Sequence, residues 1–134
     1  MIISKDIKFD CAHMLSNYEG KCANLHGHTY HGTVTLEGLE DQDTGMLLDY
    51  NRIKEIVDVL DHAVVFSSSA FRSQAEEELL DWTRKHNMRF VIMPSSKSTA
   101  EGIAEYLKLV FINEPRIDKV HIRLSETDGS WVEV

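Results

Sequence analysis

The chain has 134 residues, of which 43% are hydrophobic and 27% charged, and a formal net charge of −8. That balance suits a globular chain with a core of its own and excludes an intrinsically disordered one. The acidic excess leaves no electrostatic footprint for nucleic acid, and no apolar run approaches the ~20 residues of a membrane span. The amino terminus lacks the basic-then-apolar layout of a secretory signal, and two cysteines do not suggest a disulfide framework. One cytoplasmic domain over 1–134 is the expectation.

In chain order, Ile3, Ile7, Phe9 and Cys11 alternate with charged residues and predict a first strand. A second is predicted over 29–37, with Tyr30, Val34 and Leu36 on one side and Thr29, His31, Thr33 and Thr35 on the other. A polar turn follows at 40–45. Asp49 then stands where a helix N-cap would, and Tyr50, Ile53, Ile56, Val57 and Leu60 carry helical spacing as far as Asp61-His62. The spacing predicts a further helix over 76–86 and a short strand over 89–93, stopped by Pro94. Ser98-Thr99-Ala100-Glu101 reads as a capping box, opening a helix whose stripe is Ile103, Ala104, Leu107, Val110 and Phe111. Val120, Ile122 and Leu124 predict another long strand, and Asp128-Gly129 a tight turn into a last one. The expected order is two strands, helices, two strands.

The chemistry concentrates in Cys22-Ala23-Asn24-Leu25-His26-Gly27-His28. On a strand, residues two apart share a face, so His26 and His28 converge on one point. His13, at the end of the first strand, supplies a third nitrogen if the two strands pair. Three histidines with no fourth protein ligand leave a position open for water or substrate, the arrangement of a catalytic zinc site. His31 falls on the opposite face, and His86 and His121 have no clustered partners. Cys22 sits in a polar stretch, where a cation would favour its thiolate as base or nucleophile; the alternative makes it a fourth ligand of a closed site. Cys11 reads as a small core residue. Asp61-His62 is either an acid–imidazole proton relay or a histidine meeting a helix dipole. Glu126 shares its strand face with Val120, Ile122 and Leu124. Its carboxylate either awaits a ligand rich in N–H groups or ends the strand in solvent.

Together these residues resemble the 6-pyruvoyltetrahydropterin synthase superfamily, and within it the 6-carboxytetrahydropterin synthase branch of queuosine-type deazapurine biosynthesis. The resemblance rests on Phe9-Asp10-Cys11-Ala12-His13, the Cys-x-x-x-His-Gly-His spacing from Cys22 to His28, Leu60-Asp61-His62, Ser98-Thr99-Ala100-Glu101 and Leu124-Ser125-Glu126-Thr127. It implies that His13, His26 and His28 hold Zn2+, that Cys22 is the catalytic base, and that Asp61 and His62 form the dyad working with it. It further implies that Glu126 anchors the pterin ring edge, and that Thr99 and Glu101 form a Thr-x-Glu motif beside that pocket. The implied fold is α+β of the tunnelling type (T-fold), a four-stranded antiparallel sheet with helices packed on one face. Implied too is a homohexamer, a dimer of trimers, with active sites at subunit boundaries.

The implied reaction turns 7,8-dihydroneopterin triphosphate into 6-carboxy-5,6,7,8-tetrahydropterin, releasing acetaldehyde and triphosphate. A pyruvoyl synthase on the same substrate, a zinc hydrolase and a non-catalytic zinc-stabilised assembly protein are the alternatives. The sequence departs from the family pattern in carrying Ser98 where proline is usual and in a longer 75–94 segment.

Overall fold

Two long strands set the frame of the computed structural model, which describes all 134 residues. β1 (Ile2–His13) and β2 (His26–Gly38) pair antiparallel along their whole length, from Ile2 opposite Glu37 to His13 opposite His26. Their alternation works as the sequence predicts. Ile7, Phe9 and Cys11 of β1 and Tyr30, Val34 and Leu36 of β2 are buried on one face, while Lys8, Asp10, Thr29 and His31 are exposed on the other. Phe9 and Tyr30 stack with ring centroids 5.1 Å apart, which pins this register from the core side.

β5 (Ile117–Thr127) pairs antiparallel with β2, and β6 (Ser130–Glu133) with β5. Gly129, at φ 84, takes the left-handed turn position between them. These four strands are the antiparallel sheet the sequence implied. The sheet then continues on the other edge of β1, where β3 (Ala63–Phe66) runs parallel to β1 and β4 (Phe90–Ile92) parallel to β3. The result has six strands in the order β4-β3-β1-β2-β5-β6, not four. β3 went unrecognised because Ala63-Val64-Val65-Phe66 is a short continuous apolar run, which periodicity cannot distinguish from a buried helix end.

Three helices complete the fold. α1 (Tyr50–Asp58) starts at Asp49, whose carboxylate accepts the Asn51 N–H at 2.8 Å. It ends at Asp58, three residues short of the expected Asp61, so Asp61 and His62 lie in the turn that leads into β3. α3 (Ala100–Ile112) is capped by Thr99, whose hydroxyl accepts the Gly102 N–H at 3.2 Å. The cap is therefore one residue later than the Ser98 capping box would have it, and the Ser98 hydroxyl turns inward to the Met14 carbonyl instead.

Ile53, Ile56, Val57 and Leu60 from the α1 segment and Ile103, Ala104, Leu107 and Phe111 of α3 join the sheet's inner face in one hydrophobic core. At about 25 cal/mol per Å² of apolar surface removed from water, this shared core is the main favourable contribution to folding. α2 (Gln74–Lys85) begins two residues before the predicted helix, buries Glu76, Leu80 and Thr83, and brings Arg84 to the β3–β4 end. There Phe66 and Phe90 meet edge to face, and Arg84 lies 5.7 Å over the Phe90 ring. No helix is long and apolar enough to cross a membrane.

One glycine constrains how α3 meets the segment before it. A Cβ at Gly102 would collide with the Lys97 carbonyl oxygen, a backbone atom that cannot swing aside. Gly102→Ala is therefore expected to cost about 1–3 kcal/mol of stability, the usual size of a forced backbone shift. Urea unfolding of the variant against the parent checks this; an unchanged midpoint would show that 97–99 can yield.

Candidate metal centre and adjoining cavity

The β1–β2 register carries the site. His13 is the last residue of β1 and faces His26 across the ladder, while His28 faces Cys11 two positions along. Because all three side chains share the inner face, their ring nitrogens lie within 4.8 Å of one another. His13 is buried; His26 and His28 are half-buried.

The orientation of two of the three rings is set by a backbone carbonyl. A carbonyl can only accept, so His13 Nδ1–H donates to Ser98 O at 2.5 Å, and His26 Nδ1–H donates to Asn24 O at 2.7 Å. With Nδ1 the donor in both rings, the two Nε2 atoms face each other 3.1 Å apart. Burial also pushes the His13 pKa below its ordinary value, which keeps that imidazole neutral. The Nε2 of His28 is buried without any hydrogen-bond partner. Two ring nitrogens in direct contact and a third left without a partner form an arrangement that a shared cation would satisfy. Tetrahedral coordination at about 2.0–2.1 Å spaces nitrogen ligands roughly 3.3 Å apart, so the donor set fits a divalent ion. The two carbonyls are the outer contacts that such histidines need.

Glu126, near the end of β5, reaches the same centre from across the sheet. Its Oε1 accepts the Tyr30 hydroxyl at 2.9 Å and lies 3.3 Å from His13 Nε2 and 3.5 Å from His28 Nε2. Oε2 takes part in none of these contacts. The Tyr30 phenol is raised well above its usual pKa, chiefly by burial, so it stays a donor to the carboxylate. The parity argument thus placed Glu126 on the correct face. Tyr30, two residues beyond His28 and of the same parity, was legible only as a core residue.

Glu126 also lines a cavity of about 470 Å³ beside the histidines, together with Cys22, Thr99, Glu101, Tyr18 and Trp131. Cys22, in the single turn of 3-10 helix at Lys21–Ala23, is half-buried there, and it holds the loop down by accepting the Leu15 N–H on its carbonyl at 2.9 Å. Thr99 is the N-cap of α3 as well as a wall of the cavity, and Glu101 is exposed in the first turn of that helix. The structure thus brings seven of the nine sequence-predicted site residues to one place: His13, His26, His28, Cys22, Thr99, Glu101 and Glu126.

Asp61 and His62 are not among them. His62 lines an open depression with Asp10, Cys11, Ala12, Gly27, His28 and Thr29. The pair is nonetheless tightly built. Asp61 Oδ1 accepts the Asp10 N–H at 2.8 Å, Asp61 Oδ2 accepts His62 Nδ1–H at 2.8 Å, and the His62 N–H donates to the Asp10 carbonyl at 2.6 Å. The Asp10 hydrogen bond, then His62, holds the Asp61 carboxyl below its usual range. His62 is held at φ 57, a left-handed conformation unusual for a residue with a side chain, and its ring is 75% exposed. The Cys11 thiol is a buried core group, pushed up to about 12 mainly by burial.

A mixed sheet backed by α1 and α3, with a three-histidine cluster that could hold a metal and, beside it, a cavity holding a thiol and a carboxylate, defines a class of small sheet-based proteins. The chain belongs to the 6-pyruvoyl tetrahydropterin synthase family, whose model matches residues 2–134. It is 32% identical over 139 residues to the 6-carboxy-5,6,7,8-tetrahydropterin synthase of Haemophilus influenzae, with 98% of this chain and 96% of the relative covered. It is 26% identical to the enzyme of that name from Rickettsia bellii, covering 98% and 97%. Among solved structures, the 6-pyruvoyl tetrahydropterin synthase of Caenorhabditis elegans superposes with a TM-score of 0.59 at 23% identity, covering 100% and 94%. An uncharacterized protein from Wolinella succinogenes superposes with a TM-score of 0.66 at 20% identity, covering 100% and 97%. At those identities the structures show a shared fold, the T-fold read from the sequence.

Removing one of three imidazoles leaves only the Glu126 carboxylate, already engaged by Tyr30, near the gap, so His28→Ala is expected to lose most bound metal while keeping the fold. Elemental analysis of the purified variant checks this, and full metal content would remove His28 from the ligand set.

Proposed function

We propose that the protein is a zinc-dependent lyase converting 7,8-dihydroneopterin triphosphate to 6-carboxy-5,6,7,8-tetrahydropterin, with release of acetaldehyde and triphosphate, in queuosine-type deazapurine biosynthesis. The observation that carries this reading is the convergence of three imidazoles on one point, with Glu126 bridging from them to a cavity that also holds Cys22. The curated relatives bearing the name of that synthase over nearly the full chain support the choice of substrate and product.

His13, His26 and His28 hold the ion. When bound, zinc supplies Lewis-acid stabilisation of the negative charge that develops on the substrate's side-chain oxygens. Glu126 accepts hydrogen bonds from the amide N–H and amino group of the pterin ring, and Tyr30 keeps that carboxylate aimed at the cavity. Fixing the ring there directs the substrate side chain towards the histidines, since Glu126 lies beside both. Thr99 and Glu101 border the same ring. Cys22, which lines the same cavity, is the base that removes and returns protons at the reacting carbons.

The Asp61–His62 pair has the build of a proton relay. Asp61 fixes the imidazole by its Nδ1–H and leaves Nε2 outward. Within one chain that pair lines a different surface from Cys22. In the proposed assembly, a homohexamer made as a dimer of trimers, the dyad of one copy completes the cavity of another. The exposure of His62 supports that reading.

A pyruvoyl-forming synthase on the same substrate is the second reading, favoured by the family model and by the C. elegans structure's name. Mass spectrometry of products after incubation with dihydroneopterin triphosphate decides between them. The carboxy product with acetaldehyde is expected, and a pyruvoyl product would overturn the first reading.

Two variants test the residues. Glu126→Gln puts a donor where the ring presents donors, so affinity for a pterin analogue is expected to fall by roughly ten- to hundredfold, about 1–3 kcal/mol, with zinc retained. Unchanged affinity in a folded variant would move the ring anchor elsewhere. Cys22→Ala and His62→Ala are each expected to keep their metal and lose turnover, and mixing the two after dissociation and reassembly should restore part of it. No recovery from mixed oligomers would place both groups in one chain's site.

A further inference from the structure

Glu76 is fully buried in the first turn of α2, and helix capping does not explain why. Ser73-x-x-Glu76 has the spacing of a capping box, in which the glutamate would return to the N–H of the serine. Here only half of that box forms. The Ser73 hydroxyl accepts the Glu76 N–H at 3.2 Å, but the Ser73 N–H donates to Ser16 Oγ at 2.9 Å instead. The Glu76 carboxylate is left free to turn inward, where Oε1 accepts the Ser67 N–H at 2.6 Å and Oε2 accepts the Ser16 hydroxyl. Burying a carboxylate is costly unless its hydrogen bonds are well placed. A helix that needed only a cap would leave this one in water.

The bonds lead towards the metal centre. Ser67 is pinned at each of its polar groups. Its N–H is held by Glu76, its carbonyl accepts Arg72 Nη1–H at 2.8 Å, and its Oγ accepts the Ser98 N–H at 3.0 Å. Ser98, itself buried, donates its hydroxyl to the Met14 carbonyl at 3.0 Å, and its own carbonyl receives His13 Nδ1–H. Ser98 thus grips both His13 and the residue after it, and what grips Ser98 is anchored on Glu76.

We infer that Glu76, acting through Ser67 and Ser98, is a positioning residue for the His13 imidazole. It holds the Ser98 carbonyl where it fixes the ring's tautomer and aims Nε2 into the three-histidine cluster. The inference rests on the reading of that cluster as a metal site. α2 thereby becomes part of the support of the centre.

Ser67→Ala tests it, because the variant keeps the backbone N–H that Glu76 holds and deletes only the hydroxyl that receives Ser98. Zinc affinity is read by competition with a chromophoric chelator, the visible absorption of the Co2+-substituted protein reports ligand geometry, and unfolding is measured alongside. Loss of an outer contact of a metal-bound histidine typically weakens affinity by about ten- to hundredfold, and that loss is expected here, with a changed Co2+ spectrum. Ser67→Thr, which retains the hydroxyl, is expected to restore both. The comparison variant is Val91→Ala, a core truncation in β4, which should lower stability and leave affinity and spectrum as in the parent.

Parent-like affinity and spectrum in Ser67→Ala would overturn the inference, as would equal changes in Val91→Ala, since ordinary loosening would then suffice. If Ser67→Ala does not fold, Glu76→Gln gives the same reading by the same two measurements. A parent protein that binds neither ion overturns the metal reading itself. A parent that binds both while Ser67→Ala behaves identically overturns the positioning role alone.

Discussion

The structure depends on one register, the pairing of β1 with β2 that sets His13 opposite His26. A shift of one residue would turn every side chain of a strand to the other face. It would expose Phe9 and Cys11 and scatter the histidines. The same register stacks Phe9 on Tyr30 and lets the Tyr30 hydroxyl reach Glu126. Core packing and site geometry are therefore one constraint, and apolar burial enforces the placement of groups that would not gather by themselves.

Those groups do oppose one another. Two imidazole nitrogens face each other at 3.1 Å, and a third is buried with no partner. Left to side-chain freedom, the rings would turn away and hydrogen-bond to water. They are held by carbonyls of two loops, Asn24 before β2 and Ser98 before α3. This is preorganisation, in which the scaffold meets the cost of convergence.

The two faces of the sheet do different work. The inner face, under α1 and α3, carries the histidines, Glu126 and the cavity with Cys22. The turn before β3 carries Asp61 and His62, tied by three hydrogen bonds to the backbone of Asp10 or to each other and turned to solvent. A histidine held rigidly at positive φ and then left exposed suits a group meant to act on something outside its own chain. Ser98 has a similar logic. Its N–H and hydroxyl both serve the interior, and proline, which the family pattern leads one to expect there, offers neither.

Alternation along β1, β2 and β5 was legible because one face of each strand is buried, and burial writes a period of two into the sequence. His26 and His28 could be assigned to one face on that basis, as could Glu126 among Val120, Ile122 and Leu124. Local chemistry likewise announced the Asp49 cap and the turn at Asp128-Gly129. Three things lay beyond such reasoning. β3 is an apolar run without period, the end of α1 at Asp58 carries no stop signal, and the Thr99 cap competes with a neighbouring serine. What only the tertiary structure decided is distance between segments remote in the chain. It put Ser98 against His13, Tyr30 against Glu126, Glu76 beneath Ser67, and Asp61–His62 on a surface that Cys22 does not share. Sequence spacing determines which face a side chain takes within its own element. Which elements meet is set by long-range packing, and no local period records it.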